Sequence, residues 1–155
     1  MTDTEKAPTP APALKRLEKL IGTWDLTGRT LDSKEDNIHG WSTFEWLPGG
    51  FFMKVTGATT VKDFHVESLE LIGYDPSSDD FPSQVYGNYS GEVSPYRWNV
   101  QGTQVTHWEA TSKYTGTLSA DGQTLTGGWR PNPGAPMSEG SAYDAVMTRR
   151  PDSRH

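Results

Sequence analysis

LEKLIGTWDLTG, residues 17–28, changes its period half-way along. Up to Ile21 the apolar positions Leu14, Leu17, Leu20 and Ile21 recur at helical spacing, with Pro12 ahead of them and Gly22 behind. From Gly22 onward the spacing is two, the period of a strand whose successive side chains point to opposite faces. The stretch therefore predicts one short amphipathic helix that hands over to a first strand at Gly22-Thr23-Trp24. Trp24 at that junction is either a core plug or part of a ligand site.

The rest of the chain repeats the second half of this stretch. Period-two segments at 23–31, 41–47, 51–58, 64–74, 84–89, 96–100, 104–110, 113–118, 124–129 and 143–149 are separated by short turn signals. These are PGG (48–50), YDPSSDD (74–80), QG (101–102), SADG (119–122) and PNPG (131–134). About ten sequential strands without intervening helices describe an antiparallel up-and-down meander, which removes its two exposed edges most simply by closing into a barrel. The expected fold is all-β: one barrel domain over residues 13–150, a short N-terminal helix, a disordered polar tail at 1–12 and a C-terminal tail at 151–155. No internal repeat of fixed period is visible.

Composition narrows the function classes. The 155 residues carry a formal charge of −6, which disfavours nucleic acid and anionic membranes as partners. There is no cysteine, so disulfides and thiolate metal sites are excluded. No apolar run of about 18 residues is present. A cytoplasmic protein, monomeric or homodimeric, is the expectation, with outward Trp41 and Phe52 as a dimer surface. Only 33% of residues are hydrophobic, yet 11% are aromatic, so the interior must rely on few, large rings.

Strand parity then assigns the rings. Trp46 shares a face with Phe44, Met53 with Val55, and Trp98 with Tyr96 and Val100. Trp108 shares one with Thr106, Tyr114 with Leu118, and Trp129 with Leu125. The aromatic faces are assigned inward, which makes Trp46, Met53, Trp98, Trp108 and Trp129 the apolar wall of a cavity. In the fourth strand His65, Glu67, Leu69 and Leu71 oppose Phe64, Val66, Ser68, Glu70 and Ile72. If the leucines point inward, His65 and Glu67 enter the cavity, where with Tyr86 and Tyr114 they supply polar contacts.

Two resemblances follow from quoted residues. The short helix, GTW at the first strand and an Arg in the last strand (YDAVMTRR) resemble the calycin pattern of lipocalins and fatty-acid-binding proteins. That resemblance implies a Trp that closes one barrel end under a basic residue of the last strand. Parity places Arg149 inward and Arg150 outward, so the pair is Trp24 and Arg149, a cation–π stack worth about 0.5–2 kcal/mol. Over nearly the whole chain after residue 14, LIGTW, GWSTFEWLPGGFF, LIGYD and YTGTLSADGQTLTGGW resemble the bacterial, calycin-like DUF1579 proteins of unknown function. The chain departs from that pattern at WRPNPG, where Arg130 and prolines stand in place of an acidic residue and a DG turn.

Other chemistries find little support. His39, His65 and His107 lack paired metal-ligand spacing, and DSKEDN (32–37) lacks the regular ligand spacing of a calcium loop. No cofactor or metal is expected. Haem is a minor alternative, because the related ten-stranded nitrobindins bind it through a His, but their motifs are missing here. No G-x-S-x-G elbow occurs. The expected function is binding of a small hydrophobic or aromatic molecule. The alternative is a cofactor-independent cyclase or isomerase in the same cavity, with acid–base help from Glu67 and His65.

Overall fold

The period-two segments form ten antiparallel strands that close on themselves. A computed structural model describes residues 7–135 and 142–151. The ends of the two expected tails, 1–6 and 152–155, lie outside the described residues. The strands are β1 (Gly22–Thr30), β2 (Ile38–Trp46), β3 (Met53–Val61), β4 (Phe64–Ile72), β5 (Phe81–Gly87), β6 (Ser94–Gln101), β7 (Gln104–Trp108), β8 (Ser112–Leu118), β9 (Thr124–Pro131) and β10 (Tyr143–Arg149). Each pairs with its sequence neighbours, and β10 returns to β1 with Trp24 opposite Arg149 and Thr30 opposite Tyr143. Leu-Pro-Gly-Gly makes the expected hairpin between β2 and β3, with φ of +99° at Gly49 and +78° at Gly50. Among the described residues no helix is long and apolar enough to cross a membrane.

The N-terminal helix, Pro12–Leu20, is a 3-10 helix over its whole length. Such helices seldom exceed four residues, because side chains three apart eclipse one another. Here the eclipsing is used. Leu14, Leu17 and Leu20 are spaced by three, so a three-residue turn stacks them in one line, and all three are buried. That line enters the barrel end formed by Trp24, Met53, Ile72, Phe81, Val100 and Leu118, producing one continuous core. Ala11 packs beside it, so order begins ahead of the helix. Arg16 anchors the outer side of the helix: its guanidinium donates to the Val100 carbonyl (3.1 Å) and to Asn99 Oδ1 (2.7 Å), and it lies 4.8 Å from the Phe81 ring centre.

Trp24 is 1% exposed and donates its indole N–H to the Leu20 carbonyl at 2.8 Å. The Arg149 guanidinium lies 4.1 Å above its ring centre and donates to the carbonyls of Ile21, Lys19 (2.8 Å) and Gly122 (3.1 Å). A buried cation needs partners for its donors, and here backbone oxygens take the terminal nitrogens while an indole face covers the guanidinium plane. Outward Arg150 instead pairs with Asp25 at 2.8 Å, the split that parity predicts. Trp24→Ala should lower unfolding free energy by about 3–5 kcal/mol, measured by urea denaturation, and a loss below about 1 kcal/mol would contradict the closing role.

Candidate functional site

With one end filled by the helix, the free interior volume lies in the middle and opposite half of the barrel. It is a cavity of about 220 Å³, walled by Phe44, Trp98, Tyr114, Trp129, Leu125 and Met147 among others. Inner-face glycines shape this space, and Gly57 lines it. At Gly116 and Gly127 they also make room for a ring, since a Cβ there would lie 2.3 Å and 2.8 Å from the Tyr114 hydroxyl oxygen. A wider depression on the outer wall, of about 720 Å³, includes Arg29, Lys113, Arg130 and Asp144. It is open surface, and Arg130 is already paired there with Asp144 at 2.7 Å.

The expected wall is only partly the observed one. Trp98, Tyr114 and Trp129 line the cavity. Trp46 and Met53 do point inward, but they belong to the packed floor around the helix. Four placements need correction. His65 and Glu67 stand on the outer surface, their side chains 55% and 64% exposed and 3.6 Å apart. Tyr86 is 40% exposed and bonds outward Gln84 at 3.0 Å. Trp108 lies opposite Lys113, whose ammonium is 6.0 Å from its ring centre, and it does not line the cavity.

One physical reason covers the fourth and seventh strands. In β4 the face Val66, Ser68, Glu70 and Ile72 turns inward, with Ile72 fully buried, so His65, Glu67, Leu69 and Leu71 turn out. In β7 Val105 is fully buried, and because parity is strict, His107 follows it inward while Trp108 cannot. For β5 the fully buried Phe81 sets Ser83 and Val85 inward and Tyr86 outward.

These parities bring together a carboxylate and an imidazole that were not expected as a site. Glu70, 7% exposed, accepts three bonds on one oxygen, Oε2: from Ser83 Oγ (2.6 Å), Trp98 Nε1 (2.8 Å) and His107 Nε2 (3.1 Å). Since an ionised carboxylate only accepts, Nε2 carries the proton and Nδ1 is the nitrogen left for other partners. The imidazole is clamped flat against Trp98, with ring centres 3.7 Å apart and planes 15° apart, and Trp129 meets it edge-on at 5.2 Å. Burial pushes the Glu70 pKa up, but the His107 charge and the three donors outweigh it, and the net shift is downward. The phenols nearby move the other way: burial raises Tyr96 and Tyr114 and pushes Tyr143 up to about 12. At neutral pH the cavity thus holds neutral phenols and one ionised carboxylate braced by an imidazole. The signal for this pair was present in FHVESLELI and QVTHW: an acid on the Val66–Ile72 face and a histidine on the Val105 face.

A small ten-stranded barrel with one plugged end and an aromatic inner chamber defines the class of protein. The chain belongs to the family described as "Protein of unknown function (DUF1579)", which it matches over residues 9–132. Among solved structures it is similar to a crystal structure of Rv2717c from M. tuberculosis, with 18% identity and a TM-score of 0.43, covering 91% of this chain and 99% of that one. No curated protein matches the chain.

Two outcomes are expected from the site's electrostatics. Glu70 is held below its ordinary value of 4.5, so its stabilising contribution is complete above that pH and is lost as pH falls through the lower folded value. Urea midpoints followed from pH 6 downward should fall more steeply for the wild type than for Glu70→Gln; parallel curves would show that the buried carboxylate is not linked to folding. The Tyr114 hydroxyl is buried without a hydrogen-bond partner among the described residues. Its removal in Tyr114→Phe should leave stability unchanged or raise it by about 1 kcal/mol, whereas a loss of that size would reveal a partner.

Proposed function

We propose that this chain binds a small apolar or aromatic molecule inside its barrel, as a lipocalin-like bacterial protein of the cytoplasm. The observation that carries the reading is the cavity of about 220 Å³ walled by Phe44, Trp98, Tyr114 and Trp129. Well-packed interiors leave few voids larger than a water molecule, so a chamber of this size in a 155-residue chain asks for an occupant. Apolar walls with a few convergent polar groups are the usual make-up of a small-molecule site. The net charge of −6 directs the choice toward small ligands and away from nucleic acid.

A second reading is favoured by one observation, the Glu70–His107 pair. Glu70 fixes the imidazole through Nε2 and leaves Nδ1 uncommitted, a base whenever the ring is neutral, the division of labour seen when a carboxylate orients a catalytic histidine. On that reading the protein is a cofactor-independent isomerase or cyclase that shifts a proton on the guest. The two readings separate on the fate of the guest, which a binder returns unchanged.

The binding reading is tested with the native protein. Native mass spectrometry of freshly purified material should show a co-purified small molecule, or addition of naphthalene should shift the emission of Trp98 and Trp129. Ser42→Phe places a ring in the chamber and should abolish either signal while leaving the far-ultraviolet dichroism intact. Undiminished binding in that variant would sink the reading.

A further inference from the structure

We infer that the guest is a fused two-ring aromatic carrying a hydroxyl or N–H donor, read by the free oxygen of Glu70, and that carboxylic acids are rejected. The inference rests on the binding reading and adds to it the chemistry of recognition. Its basis is the uneven use of the Glu70 carboxylate. Ser83, Trp98 and His107 all donate to Oε2, and Oε1 accepts from none of the described residues. Oε1 is also not among the sealed, unpartnered atoms, and Glu70 lines the chamber, so its lone pairs remain available there.

The surroundings decide which polar end can meet it. An ionised carboxylate accepts and cannot donate, so the guest must bring the proton. None of the described residues lining the chamber is Lys or Arg, and the nearest imidazole has its Nε2–H committed to Glu70. A guest carboxylate would therefore set a second negative charge beside the buried Glu70, whose one facing positive partner, His107, is already engaged by Oε2. That is strongly unfavourable away from water. The hydroxyls of Ser42 and Ser68 donate or accept equally well and do not discriminate.

Size and shape fix the rest. A dry cavity of about 150 Å³ accommodates one benzene ring. The present chamber, at about 220 Å³, fits a second fused ring. The flat Trp98–His107 stack and the edge-on Trp129 offer planar surfaces to such a ring system.

Three probes of one ring skeleton test this: 2-naphthol (a donor), naphthalene (neither) and 2-naphthoate (an anion that only accepts), titrated calorimetrically at pH 7. The wild type should bind 2-naphthol at least about tenfold more tightly than naphthalene, as a hydrogen bond to a charged acceptor implies, with 2-naphthoate weakest. In Glu70→Gln the amide oxygen takes over the three donors and the amide NH₂ replaces Oε1, so the free acceptor becomes a donor. The naphthol preference should vanish, and 2-naphthoate should gain at least about tenfold relative to naphthalene. If that variant does not fold, the wild-type ranking remains a test by itself. Naphthalene bound as tightly as 2-naphthol, or 2-naphthoate bound best, would overturn the inference and leave the cavity reading standing. Binding of none of the three would remove both.

Discussion

The stack of Arg149 on Trp24 is the joint on which the barrel depends. Trp24 and Arg149 face each other across β1 and β10, the one strand pair that sequence adjacency does not supply. Every other pair is consecutive in the chain, whereas this pair must bring together the two ends of the fold and bear the entropy of closing the longest loop. The guanidinium adds to the ladder by tying β10 to the C-terminal end of the helix, through the Lys19 and Ile21 carbonyls, and to the β8–β9 turn, through Gly122. Strand closure and helix docking are thus one event.

That event also determines where space is left. The line of Leu14, Leu17 and Leu20 fills the end floored by Trp24, Met53 and Ile72, and the tight three-residue turn suits a row spaced by three. Ten strands enclose more volume than these side chains occupy. The surplus collects beyond them, where Gly57 lines the chamber and Gly116 and Gly127 give way to the Tyr114 ring. The chamber is the remainder of a packing problem solved at one end only.

Much of this was legible in the sequence, and the exceptions share a cause. Strand number, order, the helix and the hairpin glycines follow from a period change and turn residues, and the Trp24–Arg149 pair from the calycin resemblance, with parity choosing Arg149 over Arg150. Parity reads correctly where one face is plainly apolar, as at Tyr96-Trp98-Val100. It misleads where the largest ring and the true core residue lie on opposite faces. In QVTHW the indole of Trp108 outweighs Val105 by size, yet the β-branched Val105 is the residue that is fully buried. In FHVESLELI two leucines compete with Val66 and Ile72, and Glu70 makes the correct face look solvent-exposed. A carboxylate reads as an outside residue until its donors are known. Ser83 comes from the adjacent β5, whereas Trp98 and His107 come from β6 and β7, two and three strands away, and reach Glu70 only across the curved interior of the barrel.

The same three donors bear on why Glu70 is there at all. Taking a carboxylate out of water costs several kcal/mol, and replacing a buried ion pair with well-packed apolar side chains is often neutral or stabilising. Stability alone therefore gives no reason to place Glu70 and His107 beside Trp98 on the chamber wall, where Leu or Met would fill the volume. A structural carboxylate would also be expected to spread its bonds over both oxygens, since each unpartnered lone pair in a dry interior is a loss. Here Oε2 takes every bond and Oε1 none from the described residues. Such a division holds the charge in one orientation while keeping one acceptor uncommitted, which is an arrangement suited to a guest and without advantage to the empty barrel.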